Sequence, residues 1–474
     1  MALTLAIDQG THSTRAVVFD VRGRQLAMQR APVTLQVHSH TEIEQSADEI
    51  IQSMRMVIAG VLAHPAVDPT DIRQVGLATQ RSSVLAWERQ SGKALSPVLS
   101  WQDTRTRSDL RQYEAQLDNI RARTGLRLSA HYGAGKLQWL LRNSSAVRDA
   151  ASSNELVTGP LASYLLHHLC DGSINRVDHA NASRTLLWNL EQRDWDPWLC
   201  GLFGIPAALL PECRPICSNY GTSIINSAPV MAVNGDQTAA LYAHGQPGTD
   251  TILVNIGTGA FVLLPTGNTP RFQPDLLTGI SRSNANAGDY YIEGTVNGAG
   301  AAVQWAEEHF ELPDWQNHLP GWLAEIEAPP LFLNTVGGLG APWWRPGPAP
   351  GFIDIDDPAA IDPAAALVAV IESIAFMVAT NIRHLHGLQA DIRQIRISGG
   401  LSQLDGLCQR IANLAGLTVE RPPQLEATTR GIAWLAAGRP DDWEATGKPT
   451  PFEPQNGPAL EARYRRFSDT IHHT

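Results

Sequence analysis

Short apolar runs that end in small or polar residues alternate with segments of helical periodicity along most of the chain. The first such run ends at Asp8, the turn Gly10–Ser13 follows, and a second apolar run occupies Ala16–Phe19. Two apolar runs joined by small and hydroxyl residues predict a β-hairpin over Leu3–Asp20. Residues Gln25–Thr34 could add an edge strand to it.

After this hairpin, the sequence pattern predicts a helix and then a strand. Apolar residues spaced three and four apart predict an amphipathic helix over Asp48–His64, and the apolar run Ile72–Thr79 predicts a buried strand. That strand leads into the polar residues Gln80 and Arg81. Open α/β sheets bind ligands beyond the carboxyl ends of their strands, so we expect a ligand at this point.

The layout of the opening hairpin recurs halfway along the chain. A predicted strand, Val230–Val233, runs into Asn234-Gly235-Asp236, and Thr251–Leu264 then repeats the order strand, Gly-Thr turn, strand. The turns at Gly10-Thr11 and Gly257-Thr258 divide the chain into near-equal halves. We interpret this as an internal duplication, visible in layout more than in sequence identity.

The remaining pattern predicts further elements and one long loop. These are a hairpin-like unit at 84–100, helices at 108–124, 135–142 and 364–386, helix starts at 238–242 and 297–304, a loop at 205–227, a strand at 392–397 followed by a helix, and a final short helix in the polar tail after 440. The window 364–382 contains Glu372, so we read it as a buried helix and not as a membrane span.

Composition changes this picture little. The 474 residues are 43% hydrophobic and carry a formal net charge of -11, which suits at least two globular domains and disfavours a nucleic-acid or anionic membrane surface. No signal-peptide pattern opens the chain. The five cysteines lack the paired spacing of a zinc site, so we expect free thiols and a cytoplasmic protein.

Candidate chemistry comes from the two hairpins together. Backbone N–H groups and hydroxyls in a small-residue turn can hold a phosphate, and a neighbouring carboxylate can hold Mg²⁺. Asp8 and Asp236 supply a carboxylate beside each turn. Phosphoryl transfer needs an acceptor in line, Mg²⁺, donors to the phosphate oxygens and a base, so the residues permit this reaction. Asp236 alone could equally be a helix cap.

A series of motifs makes the interpretation specific. In order along the chain they are Asp8-Gln9-Gly10-Thr11, Thr79-Gln80-Arg81, Trp101-Gln102-Asp103, Asn181-Ala182-Ser183-Arg184-Thr185, Gly235-Asp236-Gln237, Gly257-Thr258-Gly259, Gly298-Ala299-Gly300 with Gln304-Trp305, Gly338-Leu339-Gly340-Ala341-Pro342 and Ser398-Gly399-Gly400. The chain thereby resembles the FGGY carbohydrate kinases, and within them most of all the glycerol kinases. The resemblance spans nearly the whole sequence.

The resemblance implies an α/β protein of two ribonuclease-H-like domains, of the actin, Hsp70 and sugar kinase type, with a catalytic cleft between them. The implied domains are 1–240, with the acceptor site and first phosphate turn, and 241–474, with the nucleotide site. The implied general base is Asp236, and the implied metal ligands are Asp8 and Asp236. Residues implied to bind nucleotide or phosphate are Thr11, His12, Ser13, Arg15, Thr258, Gly300, Gln304, Gly400 and Leu404. Residues implied to bind the acceptor are Arg81, Ser82, Trp101, His131, Asp236, Gln237 and Phe261.

Several positions depart from the glycerol kinase pattern. Ser82 stands where a Glu usually follows the Arg, and His131 stands where a Tyr is usual. Losing a carboxylate that accepts hydrogen bonds from a polyol weakens binding by about 1–3 kcal/mol, and the smaller Ser82 could admit a longer polyol or a ketose. His12 replaces a hydroxyl residue, and Leu404 stands where Asn is common.

Together these observations predict a kinase that uses ATP and Mg²⁺ to phosphorylate a hydroxyl of a small polyol or sugar. One alternative is a pentulose kinase, of the xylulose or ribulose type. Another is a non-catalytic sugar-binding regulator on the same fold, although Asp236 and both Gly-Thr turns are present. The resemblance also makes a homodimer or homotetramer plausible, but no stretch of sequence identifies an interface.

Overall fold

Two mixed β-sheets, one in each half of the chain, form the framework of the protein. We describe them from a computed structural model, which covers residues 2–355, 357, 360–423, 426–445 and 447–473.

The first half contains two five-stranded sheets, three of the four 3₁₀ helices named here and eight of the α-helices. Its strands are β1 Leu3–Gln9, β2 Ser13–Phe19, β3 Gln25–Pro32, β4 Gln36–Val37, β5 Ile43–Gln45, β6 Ile72–Thr79, β7 Val84–Glu88, β8 Val98–Leu99, β9 Leu156–Pro160, β10 Arg176–Asp178, β11 Trp188–Asn189, β12 Asp194–Trp195, β13 Glu212–Arg214 and β14 Val230–Gly235. Its helices are α1 Ala47–Leu62, α2 Leu117–Thr124, α3 Gly133–Asn143, α4 Ser145–Ser152, α5 Leu161–Leu169, α6 His179–Ser183, α7 Pro197–Phe203 and α8 Asp236–Ala240, with 3₁₀ helices at Pro69–Asp71, Asp109–Gln116 and Ala207–Leu209.

The second half also consists of strands and helices in alternation. Its strands are β15 Thr251–Ile256, β16 Ala260–Gly267, β17 Leu277–Ser283, β18 Gly288–Val296, β19 Phe332–Leu333, β20 Gly351–Phe352, β21 Gln394–Ser398, β22 Thr418–Arg421 and β23 Thr450–Phe452. Its helices are α9 Gly300–His309, α10 Trp315–Glu325, α11 Pro363–Leu388, α12 Asp405–Ala415, α13 Ala427–Ala436 and α14 Pro458–His473, with a 3₁₀ helix at Gly400–Gln403.

The two main sheets share one arrangement. The first has the strand order β14-β6-β1-β2-β3, in which β1, β6 and β14 are parallel and β2 and β3 are antiparallel neighbours. The second has the order β17-β18-β16-β15-β21-β22-β23, in which β15, β21 and β22 are parallel. Each sheet therefore has a hairpin on one side and parallel strands on the other, as the duplicated sequence pattern predicts.

Helix α11 forms the core of the second half. Its side chains from Ala366 to Ala379 are buried, and Asp362 caps its first turn by accepting from the N–H of Ala365. The helix is long and apolar enough to span a membrane, but 89% of its most apolar window is buried within the protein. Buried Glu372 pairs with Arg463 at 2.5 Å, which offsets the cost of burying its charge.

Helices α8 and α13 lie between the two sheets. Helix α13, from the second half of the chain, packs against β1, β6 and β14 of the first sheet and against α8. The two helices approach so closely at Gly431 that a Cβ there would clash with the carbonyl oxygen of Ala239. Helix α8 ends at Ala240, and the packing of α13 shows that the second half also contributes to the first half's core.

Four expectations from the sequence need adjustment. The segment 205–227, expected as a loop, contains a 3₁₀ helix at Ala207–Leu209 and strand β13, which pairs in parallel with β10. The segment predicted as one helix at 108–124 is a 3₁₀ helix to Gln116 followed by α2, and the final helix α14 is 16 residues long and not short. The polar stretch 178–185, for which a loop was an alternative, contains the buried helix α6, because the carboxylate of Asp178 accepts from the N–H of Asn181 and caps it. The cysteines are free thiols, as expected.

Candidate active site

Three parallel strands of the first sheet end level with one another. Gln9 of β1 lies opposite Thr79 of β6, and Thr79 lies opposite Gly235 of β14. Asp8 thus lies at the same edge as Asp236, which is the first residue after β14. Strand pairing, not proximity in the sequence, brings the two candidate carboxylates to one edge.

Asp8 is buried, and its electrostatic environment is unusual. Burial raises the pKa of Asp8 to about 7, and the negative charge of Asp236 acts in the same direction. Its Oδ2 accepts from Nη1 of Arg15 at 3.3 Å, whereas its Oδ1 has no hydrogen-bond partner among the described residues. A cation at this oxygen would satisfy it and favour the charged form of both carboxylates.

This pair of carboxylates fits Mg²⁺. The described residues contain no cluster of three or more His, Cys, Asp or Glu side chains arranged to hold a metal. Mg²⁺ keeps several waters and is typically held in kinases by one or two carboxylates together with substrate phosphates. Asp8 and Asp236, with one free buried oxygen on Asp8, suit that mode of binding.

Asp236 lies at the N-terminus of α8. Gly235 is the N-cap, so Asp236 is not the cap that the sequence allowed it to be. Its Oδ1 accepts from the N–H of Gln237 at 2.7 Å. Burial raises the pKa of Asp236, and the guanidinium of Arg81 acts to lower it. A carboxylate with a raised pKa, held at a strand end, can accept a proton from a bound hydroxyl.

The first phosphate turn connects β1 and β2. The N–H of Gly10 donates to the carbonyl of Ser13 at 3.0 Å and closes the turn, with His12 exposed at its tip. Thr11 is fixed from two sides, because its Oγ1 accepts from Nε1 of Trp101 at 2.9 Å and its carbonyl accepts from Gln45 at 2.7 Å. The turn therefore has a defined shape before any ligand binds.

Arg15 connects this turn to the second half of the chain. Besides Asp8, its Nη1 pairs with Glu426, which lies just before α13, at 3.2 Å. Arg15 thus lies where groups from both halves meet. The phosphate contact that the sequence resemblance implies for Arg15 stays a prediction.

The second Gly-Thr turn connects β15 and β16 and abuts the N-terminus of α9. The N–H of Gly300 donates to the carbonyl of Gly257 at 2.9 Å, and the N–H of Ala301 donates to the carbonyl of Thr258 at 3.0 Å. A Cβ at Gly300 would lie 2.8 Å from the oxygen of Gly257, so only glycine allows this approach. Thr258 itself is exposed, beside the N-terminus of α9, whose first N–H groups donate to the carbonyls of the turn.

The other candidate nucleotide residues lie on the second half. Strands β15 and β21 pair in parallel with Asn255 opposite Ser398, so the turns at Gly257 and Gly400 lie at one edge of the second sheet. Leu404 is half-buried just before α12. Gln304 is exposed on α9 and donates to Glu308 at 3.1 Å. The N–H of Leu404 donates to the carbonyl of Leu401 in the Gly400 turn at 3.2 Å, whereas no hydrogen bond among the described residues joins Gln304 to either turn.

The candidate acceptor residues surround Arg81. Its Nη1 donates to the hydroxyl of Tyr291 at 2.8 Å and its Nη2 donates to Oε1 of Gln237. Arg184 donates to the same Tyr291 hydroxyl and to Glu293, each at 2.8 Å. Tyr291 and Glu293 are on β18 of the second sheet, so this buried network joins the two halves.

A second group of acceptor candidates contains three side chains. The rings of Trp101 and His131 are 5.6 Å apart in an edge-to-face arrangement. Burial lowers the pKa of His131 well below its ordinary value, so the ring is neutral at pH 7. Ser82 has a φ of 66° and a buried hydroxyl without a hydrogen-bond partner among the described residues. Phe261 and Gln237 both line a partly open cavity between the halves.

Sequence reasoning missed several residues that hold this site. Tyr291 and Glu293 fall in a strand whose pattern shows only that it is buried, and Gln45 precedes a helix far from the turn that it supports. Lys136 is a fully buried basic side chain on α3, where Gln138 is buried as well. The one available signal was a charged residue at a core position, as with Glu293 and Lys136.

Solved structures share this architecture. The glycerol kinase of Plasmodium falciparum, determined with ADP, aligns over 100% of this chain and 98% of its own with a TM-score of 0.87 and 23% identity. A xylulose kinase from Lactobacillus acidophilus aligns over 100% and 97% with a TM-score of 0.84 and 18% identity. The fold is therefore the two-domain fold of the sugar kinases.

Sequence comparisons identify the family. The model of the N-terminal domain of the FGGY family of carbohydrate kinases matches residues 3–241, and the model of its C-terminal domain matches residues 252–438. Glycerol kinases from Xanthobacter autotrophicus and Synechocystis sp. are 34% and 33% identical, over 92% and 91% of this chain and 90% of each relative. The chain belongs to the FGGY family of carbohydrate kinases, and it is an ATP-dependent phosphotransferase with an alcohol group as acceptor.

Proposed function

We propose that this kinase transfers the γ-phosphoryl group of ATP to a primary hydroxyl of a small polyol or sugar in the cytoplasm, with Asp236 as the general base. The observation that carries the proposal is the placement of Asp8 and Asp236 at one edge of the first sheet. Electrostatic coupling between their carboxylates supports it. The glycerol kinase relatives make a polyol the first acceptor to test.

In the proposed reaction the acceptor hydroxyl loses its proton to a carboxylate oxygen of Asp236 as its oxygen attacks the γ-phosphorus. The bond between that phosphorus and the oxygen bridging to the β-phosphorus breaks, and ADP leaves. The guanidinium of Arg81 acts to lower the pKa of Asp236 and so favours its charged form, against the effect of burial. The donors of the two Gly-Thr turns and Arg15 offset the charge on the phosphate oxygens.

Asp8 and Asp236 would hold Mg²⁺, which neutralises phosphate charge when it is bound. Arg15 already offsets part of the negative charge at Asp8. Its pairing with Glu426 positions it for that task.

A pentulose or other ketose is the second candidate acceptor, and the pocket itself favours it. Ser82 offers an unpartnered hydroxyl where the glycerol kinase pattern has a carboxylate, and the neutral ring of His131 replaces a phenol. These two side chains leave more space in the pocket and fewer oxygens that can accept hydrogen bonds from the hydroxyls of a polyol. A longer substrate with a carbonyl oxygen fits a pocket in which Arg81 and Ser82 can both donate.

A panel of acceptors tests the proposal and separates the two candidates. Purified protein, ATP and Mg²⁺ are incubated with glycerol, longer polyols, pentuloses or no acceptor, and ADP release is measured. The proposal predicts ADP formation that depends on the acceptor, with one phosphorylated product per ADP. Equal ADP formation without any acceptor would instead indicate an ATPase, and none with any acceptor would favour the non-catalytic regulator.

A further inference from the structure

Lys136 is a fully buried basic side chain that the proposed mechanism does not use. Its Nζ donates to three backbone carbonyls, those of Ser82 at 2.8 Å, Ser100 at 2.8 Å and His131 at 2.9 Å. An ammonium group has three N–H donors, so all of them are used. A single side chain thus joins three segments that are distant in the sequence.

Each of these three carbonyls belongs to a segment of the acceptor pocket. Ser82 follows Arg81, Ser100 precedes Trp101, and His131 is itself a candidate contact. All three segments lie outside the regular strands and helices, in the connections after β6, after β8 and before α3. Other bonds also hold parts of these segments, since the N–H of Trp101 donates to Oγ of Ser83 and the N–H of Ser100 donates to the carbonyl of Ile43, each at 3.0 Å. Lys136 is the side chain that bonds to the backbones of all three segments at once.

Lys136 is itself held in place by its helix. The first turn of α3 is anchored where the N–H of Ala134 donates to the carbonyl of Thr185 at 2.7 Å. The charged groups that affect Lys136 are Asp103, which favours its charge, and Arg105, which opposes it. Burying a cation costs free energy that an apolar side chain of similar length, such as Met, would avoid. A packing role alone does not account for lysine here.

We propose that Lys136 is a positioning residue of the acceptor pocket. By joining the backbones of Ser82, Ser100 and His131, it sets how far apart Arg81, Trp101 and His131 present their side chains, and so which acceptors fit. This inference rests on the proposed function, because that proposal identifies these side chains as acceptor contacts. Lys136 acts through them and does not itself touch the acceptor.

The test compares Lys136→Met with Gln138→Met on the same helix. Gln138 is also buried, and its Nε2 donates to the hydroxyl of Tyr113 at 2.8 Å and to the carbonyl of Phe203 at 2.7 Å, outside the pocket. Both substitutions remove buried hydrogen bonds from α3. Displaced side chains lose hydrogen bonds to the bound acceptor, each of which changes affinity by about tenfold, so we expect K136M to raise the acceptor KM at least about tenfold.

The KM for ATP should change by less than about twofold in K136M. The ratio of kcat/KM between the best polyol and the best ketose should also change in K136M. In Q138M, both the acceptor KM and that ratio should stay as in the wild type. If K136M does not fold, Lys136→Gln takes its place, since its amide keeps two N–H donors, and its acceptor KM should lie above that of the wild type.

Two results would overturn the role of Lys136: an unchanged acceptor KM in folded K136M, or an equal rise in K136M and Q138M. The first would show that the three bonds do not control the pocket, and the second that any loss of packing in α3 has the same effect. Either result can be distinguished from a failure of the proposed function. In that case the wild type itself would form no acceptor-dependent ADP.

Discussion

At the scale of single residues, burial decides the properties of the site. Asp8 and Asp236 have raised pKa values and His131 a lowered one, and in each case desolvation is the largest cause. Desolvation favours the neutral form of every group, so partners must restore charge where the chemistry needs it. Arg15 does this for Asp8 and Arg81 for Asp236.

Ser82→Ala tests the unpartnered hydroxyl of the pocket. Since the Ser82 hydroxyl has no hydrogen-bond partner among the described residues, its removal should change the free energy of unfolding by less than about 0.5 kcal/mol. The acceptor KM should rise about tenfold, because a hydrogen bond to the acceptor is lost. Steady-state kinetics and thermal unfolding measure the two effects. A less stable enzyme with an unaltered acceptor KM would assign the hydroxyl to the fold.

Lys136 gives a pH-dependent stability. Burial lowers its pKa from 10.5 to about 7, so between these values the unfolded chain binds more protons at this residue than the folded chain does. Stability from this group therefore rises with pH across that window, by up to about 1.4 kcal/mol per pH unit. The free energy of unfolding of the wild type and of K136M should be measured near pH 7 and pH 9. The wild-type value minus the K136M value should be larger at pH 9 than at pH 7. A constant difference would contradict the lowered pKa.

At the scale of elements, the sequence predicts the hairpins and parallel strands well. Short apolar runs separated by turns of glycine and hydroxyl residues are compatible with few structures other than buried strands. The 3₁₀ helix at Asp109–Gln116 was not predictable in type, because its polar sequence has no strong period. The packing of α13 on the first sheet was also not predictable, since it depends on a close approach at Gly431 that the sequence shows only as a glycine.

Gly431→Ala tests that packing. The added Cβ would meet the carbonyl oxygen of Ala239 in α8, so the two helices must separate, at a cost of about 1–3 kcal/mol. Because α8 begins at Asp236, kcat should also fall. Gly387→Ala is the control: it lies in α11 with open space at its Cβ position, and it should stabilise the protein by up to about 1 kcal/mol. Thermal unfolding of both variants measures these effects. A G431A variant as stable as the wild type would contradict the close packing of α8 and α13.

At the scale of the whole molecule, the site depends on contacts between the two halves. Motifs and the family resemblance indicated the family and one member of each pair that joins the halves, namely Arg15, Arg81 and Arg184 on the first half. Their partners, Glu426, Tyr291 and Glu293, carried no motif and emerged only from the folded arrangement. Side chains that support a site from another domain leave no local pattern in the sequence.

The activity of Asp236→Asn tests the central claim most directly. The amide cannot accept the acceptor's proton, so acceptor-dependent ADP formation should fall by at least about a hundredfold, with ATP binding retained. Asp196→Asn is the control, because Asp196 is a buried carboxylate that caps α7 outside the cleft; it should lose stability but keep turnover. Turnover by D236N close to that of the wild type would contradict the assignment of Asp236 as the base.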